Sequence, residues 1–425
     1  MSRPCPPPNW RDPASAAPRH HEALLLLPGA AVSSFTALKA AYEPAFSTSL
    51  SELWASVKGT KRSAVLDIAV AVSGLVPSDA RQRNRVFDHL QRLLADVYKL
   101  VGLVSVKRHI ELDGPGGVDA RVFFVDRTKP IGSRAAGSPQ IGPVVSLASL
   151  AASRRAWKVI YSVDSPQGDD FLREMRQAVD QETGLGAQLN IQRLPGTNDG
   201  HPPGLEIEES TSHSTPHYHV AVGGTFDHLH TGHKLLLTAT LLALDPYVGQ
   251  FPSPMRVMTI GITGDEMLVN KQYSEFLESW VERWNGVWEF LQSIIDFFPP
   301  GTPKQIYMDY SATSKTKGAT ALIGESESLK LRAVPIADPF GPTITDQDIT
   351  ALVVSKETRS GGKSVNDERA KKGWETLEVF EVDVLDLSEP EAAKSNASME
   401  TFESKISSTE IRKRRMNLAK GSPSL

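Results

Sequence analysis

The sequence predicts an α/β protein in two parts: a doubly wound parallel sheet in the C-terminal half, preceded by a separate, divergent α/β domain. Three observations carry that expectation. Apolar runs of strand length alternate with longer helical runs along most of the chain. Pro195–Pro216, low in apolar residues and rich in Gly, Pro, Ser and acid, divides the two parts. Past that divide, two glycines break an apolar strand and open a polar junction with three histidines that leads into an apolar helix.

The 425 residues suit two or three domains, and 40% apolar with 23% charged residues describes a globular chain. A net charge of −4 supplies no basic field for nucleic acid. No apolar run approaches the ~18 residues of a membrane span, and Ala23–Leu27 is too short for a secretory core, so no membrane association and a cytoplasmic setting are expected. The one cysteine, Cys5, excludes an intrachain disulfide and a cysteine-based metal site.

Residues 1–20, rich in Pro and Ala, are expected to be a disordered tail. The first α/β domain, residues 21–195, opens with a strand at Ala23–Leu27 and helices at Ser34–Tyr42 and Leu50–Val57. Ala64–Val72 is β-branched enough for a strand, although its alanines leave a helix open. Arg85–Val101 is an amphipathic helix with Val86, Leu90, Leu93, Leu94 and Val97 as its stripe. Val101–Val106 and Arg121–Val125 read as strands. After a Gly/Ser/Pro-rich piece, Lys129–Pro143, a helix (Ser146–Ser153), strand (Lys158–Val163), helix (Asp169–Thr183) and strand (Gln188–Leu194) follow. No motif with chemistry stands out in this half.

The linker is placed at residues 196–215 and the second domain at 216–420. His213, His217 and His219 invite a zinc reading, but no nearby carboxylate or thiol completes a set, so a packed strand histidine is preferred. His219–Val222 is a strand, Leu235–Leu244 a helix and Met255–Ile262 a strand. The helix at Ser279–Phe298 carries Trp280, Trp284, Trp288 and Leu291 at core spacing. Residues 311–328 read as a flexible insertion, Leu329–Ile336 as a strand and Asp346–Ile349 as the start of a short helix. Ala351–Val354 and Leu377–Val384 are strands flanking a helix at Glu357–Lys372 that Gly361-Gly362 interrupts. A polar loop at Ser388–Ser398 and a terminal helix at Ser408–Ala419 end the domain.

The junction is Gly223-Gly224-Thr225-Phe226-Asp227-His228-Leu229-His230-Thr231-Gly232-His233. A helix N-terminus presents unpaired N–H groups and partial positive charge, so a strand–glycine–helix junction suits an anion. Gly223 and Gly224 would let a ligand approach the backbone, and His230 and His233, three apart at the first turn, would aim both imidazoles at it. These residues resemble the GTFD and HxGH signature of the nucleotidyltransferase superfamily. The wider stretch is similar to eukaryotic-type phosphopantetheine adenylyltransferases. That resemblance covers about Tyr218–Arg415 and nothing before the linker. It implies a Rossmann-like sheet, ATP and 4′-phosphopantetheine as substrates, and Mg²⁺ arriving with ATP.

Two further clusters extend the resemblance. Val353-Val354-Ser355-Lys356-Glu357-Thr358, followed by Gly361-Gly362, Asn366 and Arg369, resembles the family's VVSKET block. Gly361-Gly362-Lys363-Ser364 is not a P-loop, because Glu357 stands where the first glycine belongs. Ile406-Ser407-Ser408-Thr409 with Arg412 resembles the element that holds the triphosphate tail, and Lys271 matches a lysine the family keeps. The resemblance implies that His230 and His233 stabilise the transferring phosphates, with Lys271 and Lys356 as catalytic cations. It places Gly223, Gly224, Thr225, Phe226, Asp227, Gly232, Thr358, Arg369, Ser407, Ser408, Thr409 and Arg412 around ATP or its phosphates. No resident metal site is expected.

Adenylyl transfer from ATP to 4′-phosphopantetheine, giving dephospho-CoA and pyrophosphate, is the activity so implied. A cytidylyltransferase acting on a phospho-alcohol is one alternative, and a largely non-catalytic scaffold of a CoA-synthesising complex another. The unmotifed first half leaves contacts with other CoA-pathway enzymes open. A class I aminoacyl-tRNA synthetase shares an HxGH-type loop but should carry a basic RNA-binding module, which is lacking.

Overall fold

The computed structural model describes residues 22–29, 34–76, 83–112, 114–128, 141–196, 215–246, 255–301, 307–309, 318–323, 329–385 and 407–421. The expected tail with Cys5, most of the linker, the loop at Ser388–Ser398, Lys405 and Ile406 lie outside the described residues, as do 129–140.

The first half builds β1 (Glu22–Leu27), α1 (Phe35–Val57), β2 (Ala64–Val72), α2 (Arg83–Arg108), β3 (Val118–Asp126), β4 (Val144–Ser146), α3 (Leu147–Ala152), β5 (Val159–Val163), α4 (Pro166–Thr183) and β6 (Ile191–Leu194). Its sheet runs β4-β3-β2-β1-β5-β6, every pair parallel. Leu24–Leu27 and all nine residues of β2 are buried. Continuous apolar strands of this kind belong between two helical layers. Residues of α1 and α2 join one core against the sheet, and those of α3 and α4 a second core on its other face.

Two expectations need correction here. The helices at Ser34–Tyr42 and Leu50–Val57 are one helix that passes through Pro44, with Ser34 as its N-cap. Val101–Val106 is not a strand but the end of α2. Leu100, Val101 and Val104 prolong the stripe of Leu93, Leu94 and Val97 at helical spacing and are buried with it.

The second half builds β7 (His219–Gly224), α5 (Thr231–Leu242), β8 (Arg256–Thr263), α6 (Trp280–Ile295), β9 (Tyr307–Asp309), β10 (Ala319–Ile323), β11 (Leu329–Ile336), β12 (Ala351–Ser355), α7 (Arg359–Lys371), β13 (Glu378–Val382) and α8 (Ser408–Gly421). Its sheet runs β13-β12-β7-β8-β11-β10-β9, parallel from β13 to β11, with β10 and β9 antiparallel at the edge. The fold is therefore α/β and Rossmann-like. The parallel strands of the two sheets, β3-β2-β1-β5-β6 and β11-β8-β7-β12-β13, follow the same order. In such sheets the crevice beside the first strand, here between β7 and β12, is where ligands bind.

Part of the expected flexible insertion, Ala319–Ile323, is strand β10, alternating buried and half-buried beside β11. Its Ser/Thr/Lys-rich flanks hide that alternation in the sequence. Asp346–Ile349 forms turns rather than a helix, with Asp346 taking Arg332 and the N–H of Asp348. Helix α7 runs unbroken through Gly361-Gly362. A Cβ on Gly362 would lie 3.2 Å from Val379, so the glycine lets α7 sit close on β13. The tryptophans of α6 are core, as their spacing suggested.

The halves pack against each other through α2 and α5. Arg155 of the first half donates to the carbonyls of Ser293 (2.6 Å) and Asp296 (2.9 Å) and lies over the Phe297 ring. A polar cavity of about 270 Å³, lined among others by Asp67, Arg121, Arg155 and Asp296, occupies this seam and contains none of the motif residues.

Candidate functional site

Strand β7 ends at Gly224 and α5 begins at Thr231, so the polar junction is the crossover loop at the carboxyl edge of the sheet. The loop turns sharply. Phe226 (φ 53°) and His228 (φ 46°) both occupy the left-handed region that bulky residues avoid. Bonds to α8 and to the segment ahead of α6 over-determine that conformation. The Asp227 carboxylate is fully buried, ion-paired to Arg412, and accepts the Glu278 N–H at 2.9 Å. Its carbonyl accepts the Ser408 hydroxyl at 2.7 Å. The His228 N–H donates to Glu278 at 2.8 Å, and its Nε2–H donates to the Phe276 carbonyl at 2.8 Å. Burial disfavours a charged His228 ring, but Glu278 and then Asp227 outweigh it and raise its pKa.

His230 is the N-cap residue of α5 and makes no side-chain cap bond. Its ring stacks on that of His233 with centroids 3.9 Å apart, and the Phe226 ring lies 5.4 Å from His233. Gly232 makes room for this stack: a Cβ there would come within 3.2 Å of the His230 ring. Gly224 is required as well, since its Cβ would meet the Phe226 ring at 3.0 Å. Gly223 is different. A Cβ there would meet no described atom within 4 Å, so the space in front of this glycine is open.

Burial, then the charge of Lys234 and His228, brings His230 down to about 3, and His233 is lowered in the same way by burial and its histidine neighbours. Two neutral imidazoles can stack where two cations would repel. The Nδ1 atoms of both rings and the hydroxyl of Thr231 are buried and have no hydrogen-bond partner among the described residues. They sit on the first turn of α5, whose leading N–H groups also lack intrahelical acceptors. This turn offers neutral donors and a helix dipole to an anion. Thr231 was not singled out in the sequence, although its place inside H-T-G-H was the signal.

The third cluster meets the first directly. Helix α8 starts beside the loop, with Ser408 bonded to Asp227, Arg412 ion-paired to Asp227 and Arg412 also donating to the Gln272 carbonyl at 3.0 Å. The exposed Lys271 precedes that carbonyl and so borders the same junction. Ser407 caps α8 by accepting the Glu410 N–H. The expectation that Arg412 grips phosphate is corrected: its guanidinium is 3% exposed and spent on Asp227, Gln272 and Thr409. Asp227 and Ser408 are likewise frame bonds that lock loop to helix.

The second cluster divides. The register pairs Val353 with Val222, so Ser355 ends level with Gly224 and Lys356 and Thr358 leave the sheet at the edge where Thr225 does. Lys356, about half exposed, pairs with Asp383, and the Thr358 hydroxyl donates to the Ser355 carbonyl. Arg369 is corrected outright. It lies ten residues along α7, about 15 Å further at 1.5 Å per residue. There it donates to the carbonyls of Glu375, Thr343, Asp346, Gln347 and Ile349, ahead of β12 and at the opposite edge of the sheet. Asn366 similarly bonds the Leu377 backbone. Lys363 pairs with Asp367 on an exposed face.

Sequence reasoning also missed Arg283. Fully buried among the tryptophans of α6, it donates to the carbonyls of Glu278, Thr225 (2.7 Å) and Thr263 (2.8 Å) and to Asp265. It thereby ties the exits of β7 and β8 together. Its position three after Trp280, on the core face, was legible; a buried arginine must be paired. His217 does have a carboxylate neighbour, Glu378 at 2.7 Å, with Thr350 on its other nitrogen, which makes it a satisfied packing histidine.

Asp227, His228 and Glu278 place one ligand atom each within 4.8 Å of one another. Their charges are committed, Asp227 to Arg412 and Glu278 to His228, so these side chains do not form a cage for Mg²⁺. A magnesium ion brought by a nucleotide would rest on phosphate oxygens and water.

Residues 12–198 match a family described as a domain of unknown function (DUF8446). An uncharacterized protein of Schizosaccharomyces pombe is 35% identical over 230 residues, 54% of this chain and 56% of its own. Phosphopantetheine adenylyltransferase of Saccharomyces cerevisiae is 31% identical over 229 residues, 49% of this chain and 59% of its own. The same-named protein of Pyrobaculum aerophilum is 31% identical over 163 residues, 38% of this chain and 76% of its own. The chain thus spans little more than half the length of the two yeast relatives. No described helix is long and apolar enough to cross a membrane.

Proposed function

Because the chain belongs to the nucleotidyltransferase family that includes the phosphopantetheine adenylyltransferases, we propose that it transfers the adenylyl group of ATP to 4′-phosphopantetheine. One observation carries this reading: the loop that leads into two neutral stacked imidazoles at the start of α5 is bonded to the start of α8 through Asp227. Two helix N-termini tied to one loop suit a polyphosphate better than any neutral substrate.

In the reaction a phosphate oxygen of the acceptor attacks the α-phosphorus of ATP. The new P–O bond forms as the bond to the bridging oxygen breaks, and pyrophosphate leaves with the electron pair. No covalent side-chain intermediate is needed, so the protein acts by positioning and by stabilising charge. Because both rings are neutral, His230 and His233 donate from one nitrogen each to the oxygens where charge grows, without attracting a bystander proton. The N–H groups of the first turn, Gly224 and Thr225 border the α-phosphate and acceptor. Lys271 and Lys356 neutralise phosphate charge, Lys356 by leaving Asp383. Ser407, Thr409 and the start of α8 face the β,γ-phosphates, while Asp227, Ser408 and Arg412 hold the frame. Mg²⁺, carried in by ATP, would screen the phosphate charges.

The test is pyrophosphate release from ATP with and without 4′-phosphopantetheine, with dephospho-CoA as the expected product. His230→Ala should lower kcat about 10²–10³-fold while the far-UV circular dichroism is unchanged. Release of pyrophosphate from CTP with a phospho-alcohol, and none from ATP, would overturn the assignment.

A further inference from the structure

The half of the chain without a motif makes a contact with the histidine-bearing helix that packing alone does not require. Lys234 follows His233 directly, its backbone N–H closes the first turn of α5 on the His230 carbonyl (3.0 Å), and its side chain is buried. The ammonium leaves its own half altogether. It donates to Asp119 Oδ1 at 2.5 Å and to the Ala120 carbonyl at 3.1 Å, both on β3 of the first sheet. Asp119 Oδ2 is held in turn by two guanidinium N–H groups of Arg121. The other end of α5 is fixed in the same direction. Asp245, just past its C-terminus, accepts the N–H groups of Arg83 (2.6 Å) and Asn84 (3.4 Å), so the second half caps α2 of the first. One helix is thus anchored at both ends to a domain that carries none of the motif residues.

We propose that Asp119 and Lys234 are positioning residues through which the first half sets the place of His230 and His233; this rests on the adenylyl-transfer reading above. A single fixed point would let α5 pivot about it, whereas anchors at both ends remove that freedom. The anchored turn is the one whose imidazoles must meet the transferring phosphate. A misplacement of about 1 Å there costs on the order of 10²-fold in rate. Lys234 also adds positive charge beside His230, which helps to keep that ring neutral, and Arg121 and Lys234 hold the Asp119 carboxyl well below the usual range. The first half is then part of the catalytic framework rather than a tethered passenger.

Three variants of the full chain test this: Asp119→Asn, Lys234→Met and the double variant. They are compared by kcat and KM in pyrophosphate release, by thermal unfolding, and by the ring C–H signals of His230 and His233 in the substrate-free protein. Each single variant should lower kcat roughly 10- to 100-fold with the KM for ATP within about twofold, because the loss falls on an arrangement needed in the transition state. Asp119→Asn leaves both Lys234 and Arg121 without their carboxylate and should melt earlier, whereas Lys234→Met leaves Asp119 paired with Arg121 and should melt closer to wild type. The double variant removes the stranded ammonium but not the Arg121 guanidinium, so it should regain part of the melting temperature that Asp119→Asn loses. Its kcat should stay about tenfold or more below wild type, and the mutual ring-current shifts of the stacked histidines should stay lost. Recovery of kcat together with the melting temperature, or histidine signals unchanged in all three variants, overturns the proposal. If the wild-type protein releases no pyrophosphate, the adenylyl-transfer reading falls and the ring signals, which need no turnover, decide the positioning role by themselves.

Discussion

Replacing Arg412 by Met tests the bond network that unites loop and terminal helix. Methionine keeps much of the buried stem but removes the ion pair to Asp227 and the bonds to Gln272 and Thr409. Asp227 is fully buried and would be left with the Glu278 N–H on one oxygen. An uncompensated buried charge of this kind costs about 3–5 kcal/mol. The chain has a cheaper response than global unfolding, because α8 can detach and let water reach Asp227. The penalty should then appear as local opening of α8, with a protection factor lower by roughly two to three and a half decades at ~1.4 kcal/mol per decade. Hydrogen exchange followed by mass spectrometry should find that loss in peptides spanning 407–421 and none in β7 and β8. Asp227→Asn added to Arg412→Met removes the stranded charge and should restore part of the protection. Equal loss of protection in β7 would refute the local-latch reasoning, and unchanged exchange in α8 would show that the ion pair carries no net stability.

Thr231→Val tests the buried hydroxyl on the first turn of α5. It has no hydrogen-bond partner among the described residues, so its removal should change the unfolding free energy from urea titration by no more than about 0.5 kcal/mol, yet raise the KM for ATP or lower kcat if the hydroxyl serves phosphate; a large loss of stability would contradict this. Arg369→Met should do the reverse. It strands several buried carbonyls and costs upwards of ~2 kcal/mol in urea unfolding, while the folded protein keeps its KM for ATP, and a KM raised more than about fivefold would return the residue to the site. The His230 ring is held at about 3 by burial and then Lys234 and His228, against ~6.5 in the unfolded chain. Between those values the unfolded chain binds the extra proton, so stability falls as pH drops through 6.5 towards 3. Allowing for the ring's partial exposure, about 1–2 kcal/mol should be lost between pH 7 and pH 5, and His230→Gln should flatten that slope in urea titrations at the two pH values; an unchanged slope would contradict it.

Much of the fold was legible because buried parallel strands write themselves as apolar runs. Leu24–Leu27 and Ala64–Val72 are covered on both faces, and both were readable without partners. What failed was local. Val101–Val106 has strand composition, but its stripe continues that of α2, and only the length of the helix decides the matter. Gly361-Gly362 looks like a break from propensity alone, yet the close approach of Val379 makes small residues the requirement there. Strand β10 was lost among polar flanks because a five-residue alternation is too short to stand out.

At the site, motif spacing located the loop and the helix starts but could not separate the groups that face a ligand from those that hold them. That separation follows from hydrogen-bond accounting. Asp227, Ser408, Arg412 and Arg369 have their polar atoms met inside the chain, so drawing on them for a ligand would break a bond whose buried partner is then stranded at about 1–3 kcal/mol. The Nδ1 atoms of His230 and His233 and the Thr231 hydroxyl are buried without a hydrogen-bond partner among the described residues, so they are open to a ligand. Nothing in the spelling of H-T-G-H distinguishes its threonine from Asp227 four residues earlier. The distinction depends on Arg412, 185 residues away, arriving at Asp227 and on no described residue arriving at the Thr231 hydroxyl. Residue identity at a motif position therefore fixes what chemistry is available there. Long-range packing, including the reach of Lys234 into a domain with no motif of its own, decides which of those groups remain free to carry it out.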